Sequence, residues 1–174
     1  MLFRSVYSYI TPTLVEVSGF AEAGVPIALA LFGLGMTVGT EIGGRLADRS
    51  VVRTLVLGPF LVIAALLTFT QTAHAVVPAA VTVFLIGASG SLILPALQVR
   101  LMDVAGDAQS LAAAGNHASL NLANALGAFL GGAVIEAGHG YTSPALVGAG
   151  LAAAGLVVLA ASLALERRTA ARTA

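Results

Sequence analysis

The sequence predicts an all-α membrane protein with six transmembrane helices, and three observations lead to this prediction. Hydrophobic residues make up 58% of the chain and charged residues only 9%, with a mean hydropathy of +0.98, unlike a soluble domain. Uncharged apolar stretches of about 20 residues separate the charged segments, and this length crosses about 30 Å of hydrocarbon. The 8 basic residues all fall on one side of the membrane if the chain crosses it six times.

Five long apolar runs are predicted spans, near residues 25–44, 54–72, 75–97, 112–135 and 143–165. A sixth, near residues 2–17, is shorter because Arg4 and Glu16 bracket it, so we expect a truncated first helix. Because it has no evident small-residue cleavage site, we expect it to be a span and not a signal peptide. We therefore expect one membrane lobe over residues 1–168 and a cytoplasmic tail over residues 169–174. The runs are apolar on all faces and too long for the strands of a membrane barrel.

Basic side chains define the expected orientation. Arg4 precedes the first span, and Arg45, Arg49 and Arg53 lie between the second and third. Arg100 lies between the fourth and fifth spans, and Arg167, Arg168 and Arg172 follow the sixth. Loops rich in arginine face the cytoplasm, so the pattern predicts a multi-pass plasma-membrane protein with both termini cytoplasmic.

The connector after the second span carries the most specific motif. Gly44 is followed by Asp48-Arg49 and then by Arg53. A glycine at a helix end allows close approach of two helices, and an acid beside a base in a short loop can pair and form a conformational latch. The alternative is an ordinary positive-inside loop.

This spacing resembles the loop signature of the major facilitator superfamily, although Val51 stands where a second glycine is common. Segments 7–14, 31–39, 102–107 and 121–127 look like the later helices of its drug:proton antiporter group, near the sugar-efflux and chloramphenicol-efflux branches. The resemblance implies the C-terminal six-helix half of a bacterial inner-membrane efflux transporter, with small-molecule substrates and the proton gradient as energy source. The N-terminal half, with its antiporter Gly-Pro element, is absent from this chain, which leaves proton antiport by the chain alone in question.

Polar residues inside the spans are the candidate substrate contacts. His117, Asn121 and Asn124 share one face of the fifth span, and polar side chains in lipid must face a partner or a watery cavity. The stripe either lines a translocation pathway or clamps helices together, and the residues leave both open. Tyr9 and Thr13 share a face of the first span, a cavity-lining helix by the resemblance.

Glu41 is an acid within an otherwise apolar span. It could be a proton site, but Arg45 lies one turn further on and predicts an ion pair.

Small residues at helical contact spacing predict helix seams, either for fixed packing or for sliding. They occur in the second span at Gly35, Gly39 and Gly43, and in the fifth at Gly127 and Gly131.

No residue pattern predicts an enzyme. The chain has 0 cysteines, and its 3 histidines lack the spacing of a metal site. We expect no cofactor, no metal and no nucleic-acid partner. Membrane lipids and the missing N-terminal half are the expected partners.

Three functional hypotheses remain open. The chain is half of a secondary transporter, or a six-helix module that pairs with itself or with another half-protein. The third is a membrane protein without transport activity, such as a truncated product or a sensor-like binding module.

Overall fold

The computed structural model describes Val17 and residues 24–173, and its regular structure is helical. An all-α fold is thereby confirmed for this part of the chain. The first predicted span and its truncation lie almost wholly outside the described residues. The helices are α1 (Val25–Arg49), α2 (Val51–Thr72), α3 (Val76–Ala105), α4 (Gln109–Glu136) and α5 (Ser143–Thr173).

A single residue, Ser50, separates α1 from α2. Its backbone is extended (φ −166°, ψ 104°), and its side chain accepts a hydrogen bond from the backbone N–H of Arg53 at 3.4 Å. The Ser50 N–H also donates to the carbonyl of Leu46 at 2.9 Å. Serine suits this position because its hydroxyl satisfies a free N–H at the start of α2. The predicted connector is therefore one residue long, and the motif residues around it belong to the helix ends.

Glycines in backbone conformations that disfavour side chains mark two later helix ends. Gly106 (φ 52°) ends α3 and begins a 3-10 turn, Gly106–Ala108, that leads into α4. Gly138 (φ 82°) follows α4, and its N–H donates to the carbonyl of Ile135 at 2.9 Å. Glycine adopts positive φ without the clash of a Cβ atom, so both positions suit the end of a helix.

Helix packing is centred on α3. Helix α1 packs mainly on α3 and only lightly on α2, whereas α2 packs on both α3 and α5. Helix α4 contacts α5 and α3. One buried cluster joins α1, α2, α3 and α5 around Phe69 and Val83, and a second joins Ala47, Leu55 and Ala96.

Large apolar side chains cover much of the outer surface, including Phe129 and Val77, which are 72% and 71% exposed. A soluble monomer rarely exposes apolar area so widely, whereas lipid solvates it.

By length and composition the described helices contain 4 candidate membrane spans. One of them, Val76–Glu136, contains both α3 and α4. The predicted count of six crossings is therefore not established by the described residues. Helix α5 continues to Thr173 and includes most of the predicted tail.

Candidate functional site

Helices α1 and α3 are in backbone contact along Gly35, Gly39 and Gly43, and we call this contact the glycine seam. It fixes the side of α1 that faces away from α3. A Cβ atom added at Gly35, Gly39 or Gly43 would collide with the backbone of Phe84, Ala88 or Leu92, respectively. At Gly39 it would lie 2.7 Å from the carbonyl carbon of Ala88. Both rows advance by four residues in the same direction, so the two helices run parallel with their backbones in contact. Contact this close is available only to glycine, and it is the main means of helix association in lipid.

Two of the predicted glycine contacts, at Gly44 and Gly127, have no partner among the described residues and stay predictions. A Cβ atom at Gly44 or Gly127 would meet no heavy atom within 4 Å. Gly43, one residue earlier than the motif glycine, makes the close helix contact instead. Gly131 is buried in α4. Spacing identified residues that share a face, but it did not show whether that face meets another helix.

The opposite side of α1 carries a polar face over an open cavity of about 640 Å³. Its described lining includes Thr37, Thr40 and Glu41. The threonine hydroxyls donate to the carbonyls of Gly33 (3.1 Å) and Met36 (2.9 Å) in their own helix. Each hydroxyl keeps accepting capacity toward the cavity, so this face can receive hydrogen bonds from a ligand or from water. Sequence reasoning missed both threonines, although their spacing relative to Glu41 places all three on one helix face.

Glu41 forms an ion pair with Arg45 one turn further along α1. The carboxylate Oε1 accepts from the arginine NH2 at 2.9 Å and from Nε at 3.2 Å. Both side chains are mostly exposed, 66% for Glu41 and 75% for Arg45. Glu41 also lines the polar cavity, so the ion pair lies at its edge.

The three charged motif residues that follow the Glu41–Arg45 pair lie close to the α1–α2 junction. Asp48, Arg49 and Arg53 are exposed, and none forms an ion pair with another described residue. Asp48 is therefore available for a contact outside the described part of the chain. The latch geometry proposed from the sequence has no partner within it.

The polar stripe of α4 is largely uncovered. His117 and Asn121 are exposed and Asn124 is half-buried, and none forms a hydrogen bond with another described residue. The described helices therefore provide no clamp for the stripe. Tyr9 and Thr13, the candidates on the first span, lie outside the described residues. The described residues contain no group of three or more side chains suited to holding a metal ion.

A second cavity, of about 500 Å³, lies between α1, α2 and α3. We name it the α1–α2 groove; it is lined by residues within 39–46, 57–68 and 85–92, almost all of them apolar. It exists because α1 and α2 both pack on α3 but only lightly on each other.

Comparisons with known proteins agree with the membrane architecture. All of residues 1–174 match the family model described as Major Facilitator Superfamily. The inner membrane transport protein YdhP of Escherichia coli (strain K12) is 37% identical over 155 residues, which are 89% of this chain and 40% of that protein. A chloramphenicol resistance protein of Streptomyces lividans is 27% identical, over 90% of this chain and 38% of its own length.

A protein of Helicobacter pylori (strain G27) named as a probable sugar efflux transporter is 30% identical, over 79% of this chain and 35% of its own length. The chain thus spans about two fifths of the length of these relatives. No solved structure gives a significant match.

Proposed function

Because this chain belongs to the major facilitator superfamily, we propose that it is the C-terminal six-helix lobe of a secondary transporter in a bacterial inner membrane. The relatives that it matches are more than twice its length, so the complete transporter needs a second lobe. Both termini lie in the cytoplasm in this proposal, and the lobe moves against its counterpart by alternating access. The names of the relatives support transport, and two of them support efflux of drugs or sugars.

The observation that carries the proposal is the pair of uncovered polar faces on otherwise apolar helices. The α1 face holds Thr37, Thr40 and Glu41, and the α4 stripe holds His117 and Asn121. A polar side chain on a membrane helix is stable only against a partner or a water-filled path. Since the described helices do not cover these faces, they supply the polar contacts of a path shared with the second lobe.

The glycine seam and Asp48 have different roles in this proposal. In this proposal the close glycine contact holds α1 and α3 together, so these two helices move as one unit. The exposed Asp48 then serves as a latch toward the second lobe, because its carboxylate has no described partner. The proton gradient drives export in this proposal, with the titratable group supplied mainly by the second lobe.

A reconstitution experiment tests the proposal. The chain is placed in proteoliposomes alone and together with an N-terminal half taken from YdhP, and uptake of chloramphenicol and of monosaccharides is measured under an imposed pH gradient. Transport is expected only with both halves. Asn121→Ala is expected to lower it by at least about tenfold, as the loss of one hydrogen bond to the substrate does, whereas the matched change Leu122→Ala leaves it within about twofold.

Two results would contradict this function. Failure of both halves together to transport any probe, with both present as folded helical proteins, would reject the transporter proposal. Equal transport by the chain alone would favour a module that pairs with itself.

A further inference from the structure

We propose that the α1–α2 groove is a binding site for one anionic phospholipid, with an acyl chain in the groove and its phosphate at Arg49 and Arg53. The site differs from the proposed transport path, because its lining lies between α1, α2 and α3 and shares only Ile42 with the described lining of the cavity on the polar side of α1. The inference therefore does not depend on transport activity.

The lining of the groove suits a hydrocarbon chain. Ile42, Leu46, Leu57 and Leu61 contribute branched apolar side chains, and the backbone contact of α1 with α3 passes through the groove at Gly39. The two hydroxyl groups in its lining already donate hydrogen bonds within their own helices. Thr68 donates to the carbonyl of Ala64 at 2.7 Å, and Ser89 donates to that of Ile86 at 3.3 Å. A ligand in the groove therefore meets no free hydrogen-bond donor, which favours an alkyl chain over a polar molecule.

The α2 side of the groove is about as long as one leaflet is thick, and its α1 and α3 sides, over residues 39–46 and 85–92, are shorter. Along α2 the lining extends from Leu57 to Thr68. Eleven residues of helix span about 16 Å, and the hydrocarbon of one leaflet is half of about 30 Å. A single acyl chain entering from one membrane surface would therefore fill the groove along its length.

Two arginines stand at the end of the groove. Arg53 precedes Leu57 by one turn and begins the row that Leu57 and Leu61 continue along the same face of α2. Arg49 follows Leu46 by three residues on the groove side of α1. Both side chains are exposed, and neither pairs with a described acid.

None of the described acids forms an ion pair with either arginine. Asp48 lies on the opposite side of α1, since it is two positions after Leu46 in the helix, and Glu41 is paired with Arg45. An apolar groove that ends at two arginines without an acidic partner among the described residues is complementary to a chain that ends in a phosphate. An uncharged apolar ligand would use the groove but leave both arginines without an anion.

The test is native mass spectrometry of the purified chain in mild detergent, titrated with dioleoyl phosphatidylglycerol or dioleoyl phosphatidylcholine. We expect tighter binding of phosphatidylglycerol. The double variant Arg49→Gln with Arg53→Gln should weaken that binding by at least about tenfold, since each arginine near a membrane surface contributes about fivefold toward anionic lipid. The control, Arg45→Gln with Arg168→Gln, removes the same charge elsewhere and should stay within about twofold of the wild type.

A second pair of variants tests the groove itself. Leu61→Trp fills the groove, whereas Leu67→Trp makes the same change at an exposed position of α2 outside its lining. Only Leu61→Trp should weaken phosphatidylglycerol binding, and circular dichroism checks that both variants keep the helical content of the wild type. Inorganic phosphate at equal concentration should not displace the lipid.

Several outcomes would overturn the proposal. The first two are equal binding of the two lipids and an equal loss of phosphatidylglycerol binding in the two charge variants. The others are displacement of the lipid by inorganic phosphate and unchanged phosphatidylglycerol binding in Leu61→Trp. A shift from dimer to monomer caused by Leu61→Trp would show that a second copy of the chain fills the groove instead.

Discussion

Gly39 of α1 lies directly against the carbonyl group of Ala88 on α3, with no room for a Cβ atom between the two backbones. Gly35 and Gly43 repeat this contact one turn before and one turn after it. Three such contacts in register hold α1 and α3 parallel, and this brings Arg49 and Arg100 to the same end of the helix bundle. The close contact bears on the stability of the chain, and the shared end of the two arginines bears on its orientation in the membrane.

The seam predicts that Gly39→Ala destabilises the chain. The added methyl group must displace the α3 backbone, and overpacking of this kind costs about 1–3 kcal/mol. We expect a lower midpoint of thermal unfolding in detergent, followed by circular dichroism at 222 nm.

The matched control is Gly33→Ala in the same helix. A Cβ atom at Gly33 meets no heavy atom within 4 Å, and alanine is a better helix former than glycine. The control should be neutral or stabilising. An equal loss in both variants would mean that the seam is not the cause.

Surface labelling tests the orientation. The chain has 0 cysteines, so single cysteines introduced at Asp48, His74 and His139 report only their own positions. In intact cells a membrane-impermeant maleimide should label the cysteines at positions 74 and 139 but label position 48 only after permeabilisation. Labelling of positions 48 and 74 from the same side would contradict the topology and, with it, the proposed lobe.

The polar stripe of α4 predicts water access. A cysteine replacing Asn121 should react with a hydrophilic thiol reagent at least about tenfold faster than one replacing Leu122, because thiolate forms readily only where water reaches the sulfur. Both positions are exposed in the described structure, so a difference in their reaction rates would not come from burial within this chain. Equal slow reaction at both positions would favour the interhelical clamp over the pathway.

The pairing of Glu41 with Arg45 predicts a small energetic coupling and no role in proton transfer. In a double-mutant cycle with Glu41→Gln and Arg45→Gln, the coupling in unfolding free energy should be about 0.3–0.5 kcal/mol, as for an exposed pair one turn apart. In the reconstituted transporter, Glu41→Gln should keep the pH profile of the wild type. Loss of the pH dependence in that variant would identify Glu41 as the proton site.

Part of this description was accessible from the sequence. The family resemblance is confirmed across the whole chain, and the helical class is confirmed for the described residues. Runs of apolar residues predict such a fold reliably because backbone groups in lipid must be satisfied within the segment, which favours helices. The roles assigned to Tyr9, Thr13, His117 and Asn124 stay predictions. The α1–α2 groove and the polar lining by Thr37 and Thr40 were not anticipated.

The sequence by itself determined that these segments are apolar helices of a membrane transporter family, and which residues share a face of each helix. Only the tertiary structure decided which face meets a neighbour. Gly43 touches α3 whereas Gly44, one residue further, does not, and Gly39 is enclosed whereas Gly127 is open. The physical reason is that periodicity describes a helix relative to its own axis, while a contact depends on the position and rotation of two axes together.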